Sequence, residues 1–95
     1  MIVTNLEALV LQEKWQELQN AYLQVDKASL PNGLLNSHLA QDQSNPKLWR
    51  ILTVWKSKED MEAYRKSVET PAWFLVFRSV GAEPKLSISD IMISK

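Results

Sequence analysis

Apolar residues recur along this chain with two alternating periods, and their order predicts an α+β fold: a four-stranded antiparallel sheet with its helices on one face. Three observations carry that expectation. Leu48 to Lys56 is largely apolar on both parities, with Trp49, Ile51, Thr53 and Trp55 against Leu48, Leu52 and Val54, the pattern of a central strand covered on both sides. Leu11, Trp15, Leu18, Tyr22 and Val25 repeat at steps of four and three, the spacing of one helical face. Directly after the central strand, Ser57 and, three residues on, Asp60 form the start signal of a second helix.

The elements follow one another closely. Residues 2 to 9 alternate as a strand, with Ile2, Leu6 and Ala8 on one face and Val3, Asn5 and Glu7 on the other. The first helix runs from about Leu11 to Val25, its intervening positions polar. Ala28 to Gly33 reads as a turn, because proline fixes one φ and Asn32-Gly33 tolerates positive φ. Leu34 to Gln41 forms a second strand, and Asp42 to Pro46 a loose hairpin into the central one. The helix capped by Ser57 turns Met61, Tyr64 and Val68 inward. Thr70 and Pro71 stop it and start a short third helix, with Thr70 as N-cap and Pro71 at the first helical position, ending near Gly81. Leu86 and Ile88 on one parity, with Ile91 and Ile93 on the other, give a last strand with a β-bulge near Ser89-Asp90. The order β-α-β-β-α-(α)-β, with right-handed crossovers, is that of a ferredoxin-like domain. Its uncovered sheet face would carry Leu52 and Val54 into water, so a second copy of the same sheet is the expected cover.

Composition excludes several classes. The 95 residues make one domain, residues 1–95, with 11 acidic and 11 basic side chains that cancel. A field this weak argues against nucleic acid or an anionic membrane as partner. No run of about 18 apolar residues could span a bilayer, and Met1 to Glu7 lacks the features of a secretory signal, so a cytoplasmic location is expected. Without cysteine there is no disulfide or thiolate site, and His38, the one histidine, has no acidic neighbour at metal-ligand spacing. No metal site is therefore expected. Two glycines, Gly33 and Gly81, leave no phosphate-binding loop.

The junction of Trp55, Ser57 and Glu59, the element order and the helix pair that follows resemble the antibiotic biosynthesis monooxygenase family. The likeness spans nearly the whole chain and implies a dimeric α/β barrel, in which two sheets face each other and each monomer holds a pocket between sheet and helices. Members oxygenate anthrones or quinols without metal or flavin, or open heme, or have no established activity. The chain is similar to the anthrone oxygenases at Trp55, which in them lines the pocket, but has Ile51 and Met61 where they use asparagine and tyrosine. It is similar to the heme degraders through Ile51 to Lys58 and at Asn5. Tyr64 stands for their helical tryptophan and Phe74 for their iron-ligating histidine, so heme opening is disfavoured.

These residues imply an aromatic-lined pocket. Trp55 would stack on a small phenolic or quinol-like ring, with Ile51, Met61, Trp73, Phe74 and Phe77 as further walls. Tyr64 and Asn5 are the candidates for holding the ring's oxygens, and His38 is the candidate base. The expected activity is a cofactor-independent monooxygenase, an oxidoreductase working as a homodimer. The alternative is a non-catalytic binding module of the same fold.

Overall fold

The central strand forms where the pattern places it, and the rest of the sheet assembles around it. A computed structural model describes residues 1–26 and 30–95. Strand β1 (Ile2–Leu9) leads through a 3₁₀ turn (Gln12–Lys14) to helix α1 (Trp15–Leu23). Strands β2 (Leu34–Gln41) and β3 (Leu48–Trp55) follow, then helices α2 (Lys58–Ser67) and α3 (Ala72–Arg78) and strand β4 (Lys85–Asp90). The sheet order is β2-β3-β1-β4, every neighbouring pair antiparallel. Each helical connection thus crosses one strand, and the fold is ferredoxin-like α+β. Among the described residues no helix is long and apolar enough to cross a membrane.

Register decides which side chains meet. Ile2, Thr4, Leu6 and Ala8 lie opposite Trp55, Thr53, Ile51 and Trp49, and these rows face the helices. The main core gathers Leu6, Leu18, Ile51, Trp73, Val76 and Phe77; a smaller cluster of Ile2, Trp55 and Met61 lies under α2. The other parity (Val3, Asn5 and Glu7 against Val54, Leu52 and Arg50) forms the opposite sheet face, where no helix packs. On it Arg50 donates to Glu7 at 3.2 Å and to Asp42 at 2.8 Å, tying β1, β3 and the 42–48 hairpin together. That hairpin is closed rather than loose: the Asp42 amide donates to the Leu48 carbonyl at 2.8 Å, and the Asn45 amide to Asp42 Oδ2 at 2.7 Å.

Four expectations change. Leu11 is 62 % exposed, because residues 12–14 wind as a 3₁₀ turn and the α-helix begins only at Trp15. The last strand ends at Asp90 with no bulge; only the Ile91 amide reaches back, to the Met1 carbonyl, and Ile93 is 83 % exposed. The sheet's irregularity lies instead in β2, between Leu34 and Asn36, and leaves Leu35 half exposed. Finally, Pro71 rather than Thr70 occupies the N-cap of α3, at φ −58° and ψ 146°, and supplies no side-chain cap.

The turn predicted over residues 28–33 lies partly outside the described residues. Its described end has Gly33 at φ +91°, with its carbonyl accepting from the Lys56 amide at 2.7 Å. A Cβ at Gly33 would lie 2.5 Å from Asp60 Cγ, so both backbone sign and space require glycine there. This seats the start of β2 against the first turn of α2, beside the end of β3.

Candidate functional site

Ser57 fixes the direction of α2. Its Oγ accepts from the Asp60 amide at 3.2 Å and donates to Asp60 Oδ2 at 3.0 Å, satisfying a free N–H of the first turn. The helix thereby lays Met61, Tyr64 and Arg65 over the end of the sheet. Trp55, the last residue of β3, is 3 % exposed beneath them. Its indole N–H donates to Thr4 Oγ1 at 3.3 Å, and Thr4 in turn donates to the Thr53 carbonyl at 3.4 Å. The indole orientation is therefore held across the β1–β3 ladder.

Tyr64 closes the other side. Its ring centroid lies 5.7 Å from that of Trp55, with 31° between the planes. Its hydroxyl oxygen accepts from the Ala72 amide at 3.0 Å. That contact supplies the partner that Thr70 fails to give the first turn of α3. The Tyr64 O–H itself has no acceptor among the described residues.

Between these groups is a cavity of about 40 Å³. Its floor is Thr4, Leu6, Ile51 and Trp55, with Leu86 at the side. Met61, Tyr64 and Arg65 come from α2, and Pro71, Trp73 and Phe74 complete it from the α3 side. A water occupies about 30 Å³ of the liquid, and a dry cavity of about 150 Å³ takes a benzene. Any ring must therefore displace side chains at the rim, of which Arg65 is exposed and Phe74 half-buried. Phe74 is gripped from outside: the Arg78 guanidinium stands 5.5 Å from its ring centre and is held by two hydrogen bonds to Glu83, at 3.2 and 2.9 Å. The same hydrogen bond to Arg78 pulls the Glu83 carboxyl below its ordinary pKa.

The larger depression lies elsewhere. A groove of about 950 Å³ runs between the end of α1 and the start of β2, walled by Tyr22, Leu23, Leu34, Leu35 and Trp73. Its hydroxyls are already engaged, Tyr22 donating to Ser37 Oγ at 2.8 Å and Ser37 lying 3.3 Å from Thr53 Oγ1. Trp73, stacked on Tyr22 at 5.1 Å between ring centres, divides this groove from the Trp55 cavity. The Trp55 cavity is the better candidate because its lining is largely apolar and aromatic and is furnished with an uncommitted hydroxyl proton.

The sequence-derived candidates divide between the two sheet faces. Trp55, Ile51, Met61, Tyr64, Trp73 and Phe74 line the cavity. Phe77 does not; it is completely buried in the main core, one helical turn deeper than Trp73. Asn5 lies between Thr4 and Leu6 on β1, so strand alternation turns it to the opposite face, where it pairs with Leu52 and Ser87. Its Oδ1 is buried there without a hydrogen-bond partner among the described residues. His38 is exposed on that same face, opposite Leu52. Asn5 and His38 are thus brought near one another's strand row and separated from Tyr64 by the sheet. Five cavity residues escaped the sequence reading as site residues: Leu6, Pro71 and Leu86, read only as strand or turn positions, and Thr4 and Arg65, the last the neighbour of Tyr64. Among the described residues no group of three or more potential metal ligands converges.

Known proteins were then compared with the chain. Its fold is similar to a candidate antibiotic biosynthesis monooxygenase from Deinococcus radiodurans, with TM-score 0.76 and 14 % identity over 100 % of this chain and 96 % of the other. A second candidate of that name, from Nitrosomonas europaea, gives TM-score 0.74 and 18 % identity over 98 % and 100 %. The heme degrader MhuD from Mycobacterium tuberculosis, solved with two hemes in its active site, gives 0.77 and 16 % over 100 % and 99 %. At such identities these likenesses establish the fold. A search among curated proteins returned no match. The sequence profile of the antibiotic biosynthesis monooxygenases matches residues 1–74, which span β1 to the first turn of α3 and most of the cavity. The chain belongs to the antibiotic biosynthesis monooxygenase family.

Proposed function

We propose that this chain is a cytoplasmic, homodimeric, cofactor-independent monooxygenase acting on a small phenolic or quinol-like aromatic in the Trp55 cavity. Family membership supports the reaction class. The observation that carries the site is the Trp55–Tyr64 pair: one indole locked by Thr4, and one phenol whose oxygen is held by Ala72 while its proton is left for a ligand. The ring lies against Trp55, and Tyr64 donates to its oxygen, favouring the ionised ring in a water-poor site. The carbanion reduces dioxygen; one oxygen atom becomes a new ring carbonyl and the other leaves as water, all electrons coming from the substrate. With His38 across the sheet, no imidazole lines the cavity, and the ring proton passes to water at the rim.

Heme does not fit these residues. Phe74 stands at the position of the iron ligand in the heme degraders this chain resembles, and the cavity would have to enlarge many times to admit a porphyrin.

The dimer reading rests on the open sheet face. Val3, Leu48, Leu52 and Val54 keep part of their apolar surface exposed there in the single chain. A second copy of the sheet supplies the apolar cover.

A second reading is favoured by one observation: Ile51 and Met61 give the cavity no polar group where anthrone oxygenases have theirs. On that reading the cavity binds a small molecule without turnover. Oxygen uptake by the pure protein with an anthrone and naphthoquinol panel separates the two. Uptake that falls to background in Trp55→Phe, Tyr64→Phe supports catalysis; no protein-dependent uptake across the panel leaves only binding.

A further inference from the structure

Arg65 is the one charged side chain lining the Trp55 cavity, and no carboxylate lines it. It forms no ion pair among the described residues, although Glu62 lies three residues before it on the same helix; Glu62 is instead 3.9 Å from Lys58. An acidic neighbour three or four residues away would neutralise part of its charge. Here Arg65 is exposed and lines a mostly apolar cleft together with the Tyr64 phenol. Both residues line the same cavity from α2, so a ligand group that reaches the phenol also approaches the long, flexible arginine side chain.

The geometry points to a ligand that is an aromatic anion, its ring on Trp55 and its anionic oxygen directed outward between Tyr64 and Arg65. This rests on the Trp55 cavity being the ligand site, and it adds to that reading the charge and orientation of the ligand. An ionised phenolate, an enolate and a ring carboxylate share this chemistry. In each, Arg65 stabilises the charge while the apolar floor excludes water, and for a phenol or anthrone it favours the ionised state from which the reaction starts. Arg65 also explains how a cavity without asparagine at 51 or tyrosine at 61 could still favour an anion.

Binding of 2-naphthoate and of its neutral isostere 2-naphthamide, followed by titration calorimetry at low ionic strength, tests this. The expected result is at least fivefold tighter binding of the anion to the wild type, an advantage that shrinks as salt is added. Arg65→Gln should remove that advantage, Arg65→Lys should keep part of it, and Lys66→Gln, with the same charge change on a residue that does not line the cavity, should leave it intact. Because residue 65 is exposed, melting temperatures should match across the set. Equal affinity of the two probes for the wild type overturns the inference, as does an advantage that survives Arg65→Gln or disappears equally in Lys66→Gln. Equal binding that weakens in Trp55→Phe leaves the cavity as the ligand site and removes only the role of Arg65. Failure of both probes to bind overturns both.

Discussion

Trp55 and Tyr64 face each other at 5.7 Å between ring centres, and each is held by a partner from a different part of the chain. Thr4 on β1 accepts the indole N–H, while Ala72 at the start of α3 donates to the phenol oxygen. Two sheet strands and two helices therefore converge on one aromatic pair.

Removing the indole should unpack this convergence. Trp55→Ala deletes a nearly fully buried ring and is expected to cost about 3–5 kcal/mol, the usual range for large-to-small aromatic changes in a core. Trp55→Phe keeps most of the volume and should cost less while losing the Thr4 hydrogen bond. Urea unfolding of the three proteins checks the order.

Tyr64→Phe tests the other half. It leaves the Ala72 amide without its partner at the first turn of α3, and a net loss of about 1 kcal/mol is expected. The loss should appear as faster amide exchange at Ala72 and its neighbours, with the β1–β3 ladder unchanged. Equal protection of Ala72 in both proteins would show that the phenol does not cap α3.

Asp42 gives the fold a dependence on acid. The hydrogen bond from Arg50, then that from the Asn45 amide, holds its carboxyl below the ordinary aspartate value, against desolvation. A group whose folded pKa is depressed stabilises the fold above its unfolded value of about 4 and loses that contribution as pH falls through the folded value. Asp42→Asn should therefore be less stable than the wild type near neutrality, and the two should converge in acid. A difference that persists unchanged below the folded pKa would contradict this assignment.

Val54 lies on the open face near the end of β3, opposite Val3 and Asn36. At about 25 cal/mol per Å², several hundred Å² of apolar sheet left wet forfeits on the order of 10 kcal/mol of gross burial, and association entropy takes back much of it. Val54→Asp should place a charge in the proposed interface and yield a monomer in sedimentation, whereas Glu17→Lys on the exposed side of α1 should not. A wild-type protein that sediments as a monomer would remove the two-sheet arrangement.

Much of this fold was legible because β3 carries its signal twice, in the apolar parity of Trp49, Ile51 and Trp55 and in the cap at Ser57. Strand β1 likewise showed Asn5 on the parity opposite Ile2 and Leu6. Which parity faces the helices depends on cross-strand register, which places Leu6 opposite Ile51 and Leu86, and no local pattern contains that. Resemblance to the heme degraders drew Asn5 toward the pocket, whereas alternation places it across the sheet. The α3 cap was misread for a related reason: its partner is a phenol eight residues away rather than the adjacent Thr70. Arg65 gave no local signal, since an arginine beside Lys66 on a polar helix face reads as a solvated charge until the cleft beneath it is known.

Oxygen incorporation tests the central claim most directly. The protein, stripped of metals and flavin, would be incubated with a reduced naphthoquinol under heavy-isotope dioxygen, and the product's mass read. The proposed reaction predicts one labelled oxygen atom per product molecule, formed at a rate proportional to protein and lost in Tyr64→Phe. Product formed at the same rate without protein, or free of label, would contradict it.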